Sequence, residues 1–420
     1  MTDQPPDRAT DTRATAADPP TTAWDIFRIF LGLGLTSFGG PVAHLGYFRT
    51  AFVARREWLS DAAYADLVAL CQFLPGPASS QAGFAIGLMR GGWAGAAAAW
   101  AGFTLPSAIV LAAFGLGAGA ITHPLGTGAI DGLKLLAVAV VAHALWGMGR
   151  SLAPDAARQA VALAALVLLA VWAGPPGQVA AILGGAVAGR VLSLGDASGA
   201  PGPADAMLAG RMPAPRTGAA LIAVALGLLA LLPVLTATGV GGQATALFEA
   251  FYRAGALVFG GGHVVLPLLE ESVVAPGWVD AETFLAGYGA AQAVPGPLFT
   301  IAAYLGAAAE PAPAGMAGAA IALAAIFLPG LLLVAGALPW WDRLRGWAEA
   351  RAALAGVNAA VVGVLASAFY DPVFTAGVAG PVDFAVAACA FFALQTGRAP
   401  VWAVVLAMAA LGAARAVLGG

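Results

Sequence analysis

Two prolines flanking a glycine cannot sit inside a continuous helix, and this chain carries that tripeptide twice, at Pro75-Gly76-Pro77 and Pro295-Gly296-Pro297, each within a long apolar stretch. Proline lacks the N–H that a helix interior needs and its ring clashes with the preceding turn, so each stretch must break. The surroundings repeat as well. The first copy runs from Phe38-Gly39-Gly40-Pro41 through Trp58-Leu59 to Gln72-Phe73-Leu74-Pro75-Gly76-Pro77 and closes on Leu105-Pro106. The second runs from Phe259-Gly260-Gly261-Gly262 through Trp278-Val279 to Gln292-Ala293-Val294-Pro295-Gly296-Pro297 and closes on Leu328-Pro329. Helix interruptions at corresponding depths of two halves point to the binding site of a solute carrier.

Composition names the solvent. With 60% hydrophobic and 10% charged residues and a mean hydropathy of +0.85, there is too little polar material to cover a soluble protein, so the bilayer takes the place of water. A net charge of -3 without a basic run argues against nucleic acid as a partner. Cys71 and Cys389 are the only cysteines, and two isolated thiols make neither a zinc site nor a disulfide framework. No P-loop, dinucleotide fingerprint, nucleophile elbow or zinc-binding His-Glu motif is present. The expectation is therefore no metal, no cofactor and no enzyme, with an ion gradient rather than ATP as the energy source. Lys134 is the only lysine among 19 basic residues, and the Arg, Ala and Gly bias is that of a GC-rich bacterial genome, which makes the bacterial cytoplasmic membrane the expected location.

Apolar segments of roughly 18 to 25 residues, long enough to cross ~30 Å of hydrocarbon, recur about thirteen times. The expected fold is an all-α polytopic membrane protein of two homologous, inverted-topology repeats. Its expected parts are a disordered cytoplasmic tail over 1–23, a first repeat over 24–194, a loop and linking helix over 195–240 and a second repeat over 241–420. The repeats begin seven segments apart, and an odd number of crossings inverts the second. Charge agrees. The loop after the first Gly-rich motif carries Arg49, Arg55 and Arg56, while its counterpart carries Glu270, Glu271, Asp280 and Glu282, so the positive-inside rule makes the first cytoplasmic and the second external. Placing Arg90, Arg150, Arg158, Arg190, Arg211, Arg216 and Arg343 to Arg351 on the same side as Arg49 requires something to turn back. The candidates are 24–48, 62–90, 246–270 and 282–309, each read as a pair of half-helices.

A half-helix that starts after the second proline points free N–H groups, with partial positive charge, back at the break, which is an anion site. Broken backbone at that depth is tolerated only inside protein or facing a water-filled cavity. The candidate substrate-binding residues are Gly39, Gly40, His44, Gln72, Pro75, Gly76, Pro77, Ser79, Ser80, Gln81 and Lys134 in the first half. In the second half they are Gly260, Gly261, Gly262, His263, Gln292, Pro295, Gly296, Pro297, Thr300 and Asn358. The glutamines serve equally as oxyanion donors or as helix–helix glue. His44 and His263 do not align in the repeat, since His263 matches Val42, so no symmetric proton relay is expected. Lys134 stands three residues after Asp131 and can pair with it; its repeat partner is Asn358. Arg253 sits where it could reach an entrance, whereas Arg90 reads as a residue snorkelling to the surface.

These motifs, taken in order, resemble the chromate ion transporter family in its long-chain, two-domain form. The residues that carry the resemblance are Phe38-Gly39-Gly40-Pro41 with His44, Arg56-Glu57-Trp58-Leu59, Leu74-Pro75-Gly76-Pro77 with Gln81 and Phe103-Thr104-Leu105-Pro106. Their second set is Phe259-Gly260-Gly261-Gly262, Leu266-Pro267, Gln292, Pro295-Gly296-Pro297 and Leu328-Pro329. The resemblance covers about residues 24 to 416. It implies proton-motive-force-driven export of chromate, an antiporter-type secondary carrier, and chromate resistance. Chromate is a tetrahedral dianion close in shape to sulfate, so sulfate or another oxyanion remains an alternative substrate, a passive anion channel an alternative mode, and a lipid-modifying enzyme with His44 or His263 as base an alternative class. Association of two copies as a homodimer is also open.

Overall fold

The computed structural model describes residues 22–38, 40–118, 124–194, 212–259, 265–311, 313–341, 347–397 and 399–418. The expected tail, apart from its last two positions, and Gly39, Gly260, Gly261, Gly262 and His263 lie outside the described residues.

Every regular element among the described residues is helical. Helix α1 (Ala23–Thr36) opens on a capping box in which Thr22 and Asp25 satisfy each other's backbone N–H, and it stops at Ser37 before the Gly-rich motif. Helix α2 (Gly40–Arg49) runs on into a π-helical turn at Thr50–Ala54. Helix α3 (Asp61–Phe73) is capped by the Ser60 hydroxyl and ends against the first Pro-Gly-Pro. With 14, 10 and 13 residues, these helices reach only about 15–21 Å at 1.5 Å per residue. None of them spans ~30 Å of hydrocarbon.

Helix α4 (Ala78–Ala118) consists of two arms joined at Gly92, whose φ is 63°. Its first arm returns to where α3 began, since the Arg90 guanidinium lies 4.7 Å from the ring centre of Trp58 in the α2–α3 connection. The start of α1 is at that same end, for Ile26 packs where a Cβ on Gly91 or Gly95 would go. Both broken pairs of the first repeat are therefore re-entrant hairpins. The second arm of α4 runs to the opposite end, followed by α5 (Pro124–Leu152), α6 (Ala156–Val171) and α7 (Pro175–Val191). Helix α8 (Pro215–Ala237) links the halves.

The second repeat replays the first. Helices α9 (Gly242–Ala256), α10 (Val265–Val273), α11 (Ala281–Ala293) and α12 (Ile301–Ala308) form the hairpins, and α12 is preceded by a 3-10 turn at Leu298–Thr300. Helices α13 (Gly315–Ala337), α14 (Ala348–Ala368), α15 (Pro381–Gln395) and α16 (Val401–Leu418) follow. At the place of Arg90 and Trp58, the Glu310 N–H donates to the Trp278 carbonyl at 2.9 Å. At the place of Gly92 stands Gly315, with a φ of 64°.

The repeats interlock. Helix α1 packs along α4 and α9 along α13, but α6 and α7 pack on α14 of the other repeat, and α15 and α16 pack on α5. Small residues allow the approach: Gly128 and Gly132 meet Gly412 and Met408, and Gly185 and Gly189 meet Gly356 and Ala352. Large apolar side chains on the outer helices, among them Leu163, Val167, Leu183, Val187, Leu226 and Leu406, are exposed, a surface for lipid rather than water. Among the described residues, six helices are long and apolar enough to cross a membrane. The protein is a multi-pass membrane protein with Arg49, Arg55, Arg56 and Arg90 at one end and Asp131, Lys134, Glu282, Asp383 and Arg415 grouped at the other.

Candidate functional site

The four broken ends meet. The Gly76 N–H donates to the Val258 carbonyl at 2.8 Å, and the Gly296 N–H donates to the Ser37 carbonyl at 2.9 Å. Ser37 precedes Phe38 and Val258 precedes Phe259, so the same bond is made twice across the pseudo-twofold axis. Each bond satisfies a donor and an acceptor that the breaks would otherwise leave bare inside the membrane. Gly76 and Gly296 have φ of +123° and +111°, a region in which side chains are strained. A Cβ on Gly76 would lie 2.9 Å from the Gly330 Cα, and one on Gly296 would lie 2.7 Å from the Ser107 Oγ. Each Pro-Gly-Pro thus rests on the opposite repeat, one residue after the proline of Leu328-Pro329 or Leu105-Pro106.

Side chains reinforce the junction. Gln81 Nε2 donates to the Pro75 and Gly330 carbonyls, both at 3.0 Å, joining its own break to α13. His44 is fully buried; its Nε2–H donates to the Ser37 carbonyl at 3.2 Å, which leaves Nδ1 to accept from the Ser79 hydroxyl at 3.4 Å. The edge of the Phe103 ring lies against the imidazole, with centroids 5.2 Å apart. The Gln81 N–H bonds the Pro77 carbonyl at 2.9 Å, so the N–H groups of Ala78, Ser79 and Ser80 precede the helical ladder and face the break with partial positive charge.

On the segments that meet at this break, Ser37 Oγ, Ser80 Oγ and Gln81 Oε1, and Thr104 Oγ1 beside the Phe103 that packs on His44, are buried and have no hydrogen-bond partner. An unmet buried polar group costs about 1–3 kcal/mol. Such groups call for a partner that the chain itself does not supply, such as water or an ion.

The cluster is one-sided. Ser37, His44, Ser79, Gln81, Thr104 and Ser107 are replaced in the second repeat by Val258, Val265, Phe299, Ile301, Phe327 and Gly330. Thr300, the equivalent of Ser80, keeps its hydroxyl but donates it to the Pro297 carbonyl at 2.7 Å. The scaffold is duplicated, whereas these hydroxyl, imidazole and Gln81 side chains belong to the first repeat; beside the second break Gln292 keeps a buried Nε2 without a partner.

Of the remaining sequence candidates, some adjoin the breaks and others stand apart. Gly40 opens α2, Gln72 is exposed near the end of α3, and Gln292 has a buried Nε2 without a partner. Asn358 lies on α14 with its Oδ1 buried and unpartnered. Lys134 points to the start of α11 rather than to a break: it pairs with Asp131 at 2.9 Å and Glu282 at 2.8 Å, in a cavity of about 500 Å³ that also carries Asp383 and Arg415. Arg253 is taken up by Glu249 at 2.7 Å. Ser37, Thr104 and Ser107 were not among the candidates, although Ser37 and Ser107 adjoin motif residues and Thr104 lies within Phe103-Thr104-Leu105-Pro106. No group of three or more His, Cys, Asp or Glu able to hold a metal occurs among the described residues.

Comparison with known proteins agrees with this repeat. The chain is 29% identical over 379 residues to a chromate transport protein of Pseudomonas aeruginosa, covering 87% of this chain and 85% of that one. It is 28% identical over 372 residues to a chromate transport protein of Cupriavidus metallidurans, covering 87% and 86%. An uncharacterized transporter of Methanocaldococcus jannaschii is 23% identical over 331 residues, covering 77% and 78%. No solved structure matches. The Chromate transporter family matches residues 24–190 and 245–413, one stretch in each half, and the chain belongs to that family.

Proposed function

We propose that this chain is a secondary carrier that exports chromate, or a sulfate-like tetrahedral oxyanion, across the bacterial cytoplasmic membrane under the proton motive force. The observation that carries the reading is the set of buried, unpartnered hydroxyls of Ser37, Ser80 and Thr104 on segments that pack at the first break, in a chain whose relatives include chromate transport proteins. The N–H groups of Ala78, Ser79 and Ser80, with the hydroxyls of Ser37, Ser80 and Thr104, offer donors to the oxygens of a dianion. His44 positions this set, since it ties the end of α1 to Ser79. Alternating access follows from rocking of one repeat on the other about the shared breaks. The electrical part of the driving force is large: moving two negative charges out through 100 mV releases about 4.6 kcal/mol, some three powers of ten in concentration.

The test is uptake of labelled chromate into inside-out vesicles containing the protein, with and without an uncoupler and with excess sulfate. Uptake that collapses with the gradient supports the proposal, and sulfate competition defines a tetrahedral-dianion site. Uptake indifferent to the uncoupler makes the protein a passive anion pathway, and uptake equal to that of empty vesicles refutes chromate as substrate.

A further inference from the structure

A cleft of about 710 Å³ lies between α5 and α6 of the first repeat and α14 and α15 of the second, lined among others by Leu145, Trp146, Arg150, Val362, Phe369 and Phe391. It is the seam at which the repeats exchange helices. Val362 is buried, whereas Leu145, Phe369 and Phe391 are half-buried and leave an apolar trough open toward the surface. One end of the trough carries Arg150, exposed and without an ion-pair partner among the described residues. The nearest acid in the chain, Asp155, is occupied by Arg158. Trp146, one turn before Arg150 on α5, is 54% exposed, and Trp is the residue that marks the level of lipid headgroups.

An apolar trough ending in an unpaired guanidinium beside a tryptophan, at the arginine-rich end of a membrane protein, has the chemistry of one ligand. We propose that it holds an anionic phospholipid, with a phosphate on Arg150 and an acyl chain against Leu145, Phe369 and Phe391. The lipid touches both repeats and so stabilises the seam between them. This site is independent of the oxyanion site and of the transported substrate.

The full chain is purified in a neutral detergent, and its unfolding midpoint is followed as phosphatidylglycerol, phosphatidylcholine or inorganic phosphate is added; lipid retained by the folded protein is weighed by native mass spectrometry. Phosphatidylglycerol raises the midpoint and stays bound, phosphatidylcholine does so much less, and phosphate alone has no effect. Arg150→Gln weakens the phosphatidylglycerol response about tenfold, whereas Arg55→Gln, an exposed arginine at the same end, leaves it unchanged. An Arg150→Gln protein that responds as the wild type does, an equal response to phosphatidylcholine, or a response to phosphate alone overturns the proposal.

Discussion

Gly76→Ala and Gly296→Ala are the same substitution at equivalent positions, and the structure predicts that they differ. Both put a side chain on backbone with φ above +110°, a strain of order 1–3 kcal/mol common to the two. The difference lies in what the new methyl meets. At Gly76 it comes within 2.9 Å of the Gly330 Cα, a backbone atom inside α13 that moves only with the helix. It also presses on Gln81 Nε2 at 3.0 Å, one of the two donors that hold the break together. At Gly296 the nearest atom is the Ser107 Oγ at 2.7 Å, the end of a short side chain that can rotate for about 1 kcal/mol. Overpacking against fixed atoms costs typically 1–3 kcal/mol, so Gly76→Ala is the more damaging by about that amount. Midpoints of thermal unfolding for both proteins in one detergent, with chromate flux alongside, measure the order. Adding Ser107→Gly to Gly296→Ala recovers the steric share but not the strain. The reasoning is refuted if Gly296→Ala is the less stable of the two, or if Gly76→Ala unfolds as the wild type does.

Three further outcomes follow from the one-sided lining, the paired lysine and the capping carboxylate. Ser80→Ala removes an unpartnered hydroxyl at the half-helix start and raises the chromate KM about tenfold, the value of a hydrogen bond to a charged ligand, while Thr300→Ala, which removes a hydroxyl already bound to Pro297, changes KM less than about twofold. Lys134→Met leaves the chromate KM unchanged and lowers stability modestly, since it strands Glu282 and Asp131 at a half-exposed site; a raised KM would place Lys134 on the substrate path. Accepting the Arg158 backbone N–H at the start of α6 holds the Asp155 carboxyl below the usual carboxylate range. Its stabilisation is therefore complete above that range and is lost as pH falls through the depressed value, and Asp155→Asn flattens the acid limb of the stability profile.

The hairpins were legible because Gly and Pro cannot be hidden in an apolar helix and because Arg90 has to return to the side of Arg49, Arg55 and Arg56. Arg90 illustrates both: its place in the charge count demanded a turn back, and it lies on Trp58. The bonds from Gly76 to Val258 and from Gly296 to Ser37 were not legible, since a backbone contact between distant segments leaves no mark on residue type. Lys134 shows the same limit for side chains, since Asp131 is visible three positions away whereas Glu282 is 148 residues distant. The one-sided lining is written in pairs such as Ser79 with Phe299 and Thr104 with Phe327, but only folding shows that His44 bonds Ser37 and packs on Phe103, the neighbour of Thr104.

The most direct test of a single, one-sided oxyanion site is equilibrium binding of chromate to the purified chain in bilayers of neutral lipid. One dianion bound per chain, displaced by sulfate and weakened at least about tenfold by Ser80→Ala with Thr104→Val, is the predicted result. Two equivalent dianions per chain, or wild-type affinity in that double variant, would contradict it.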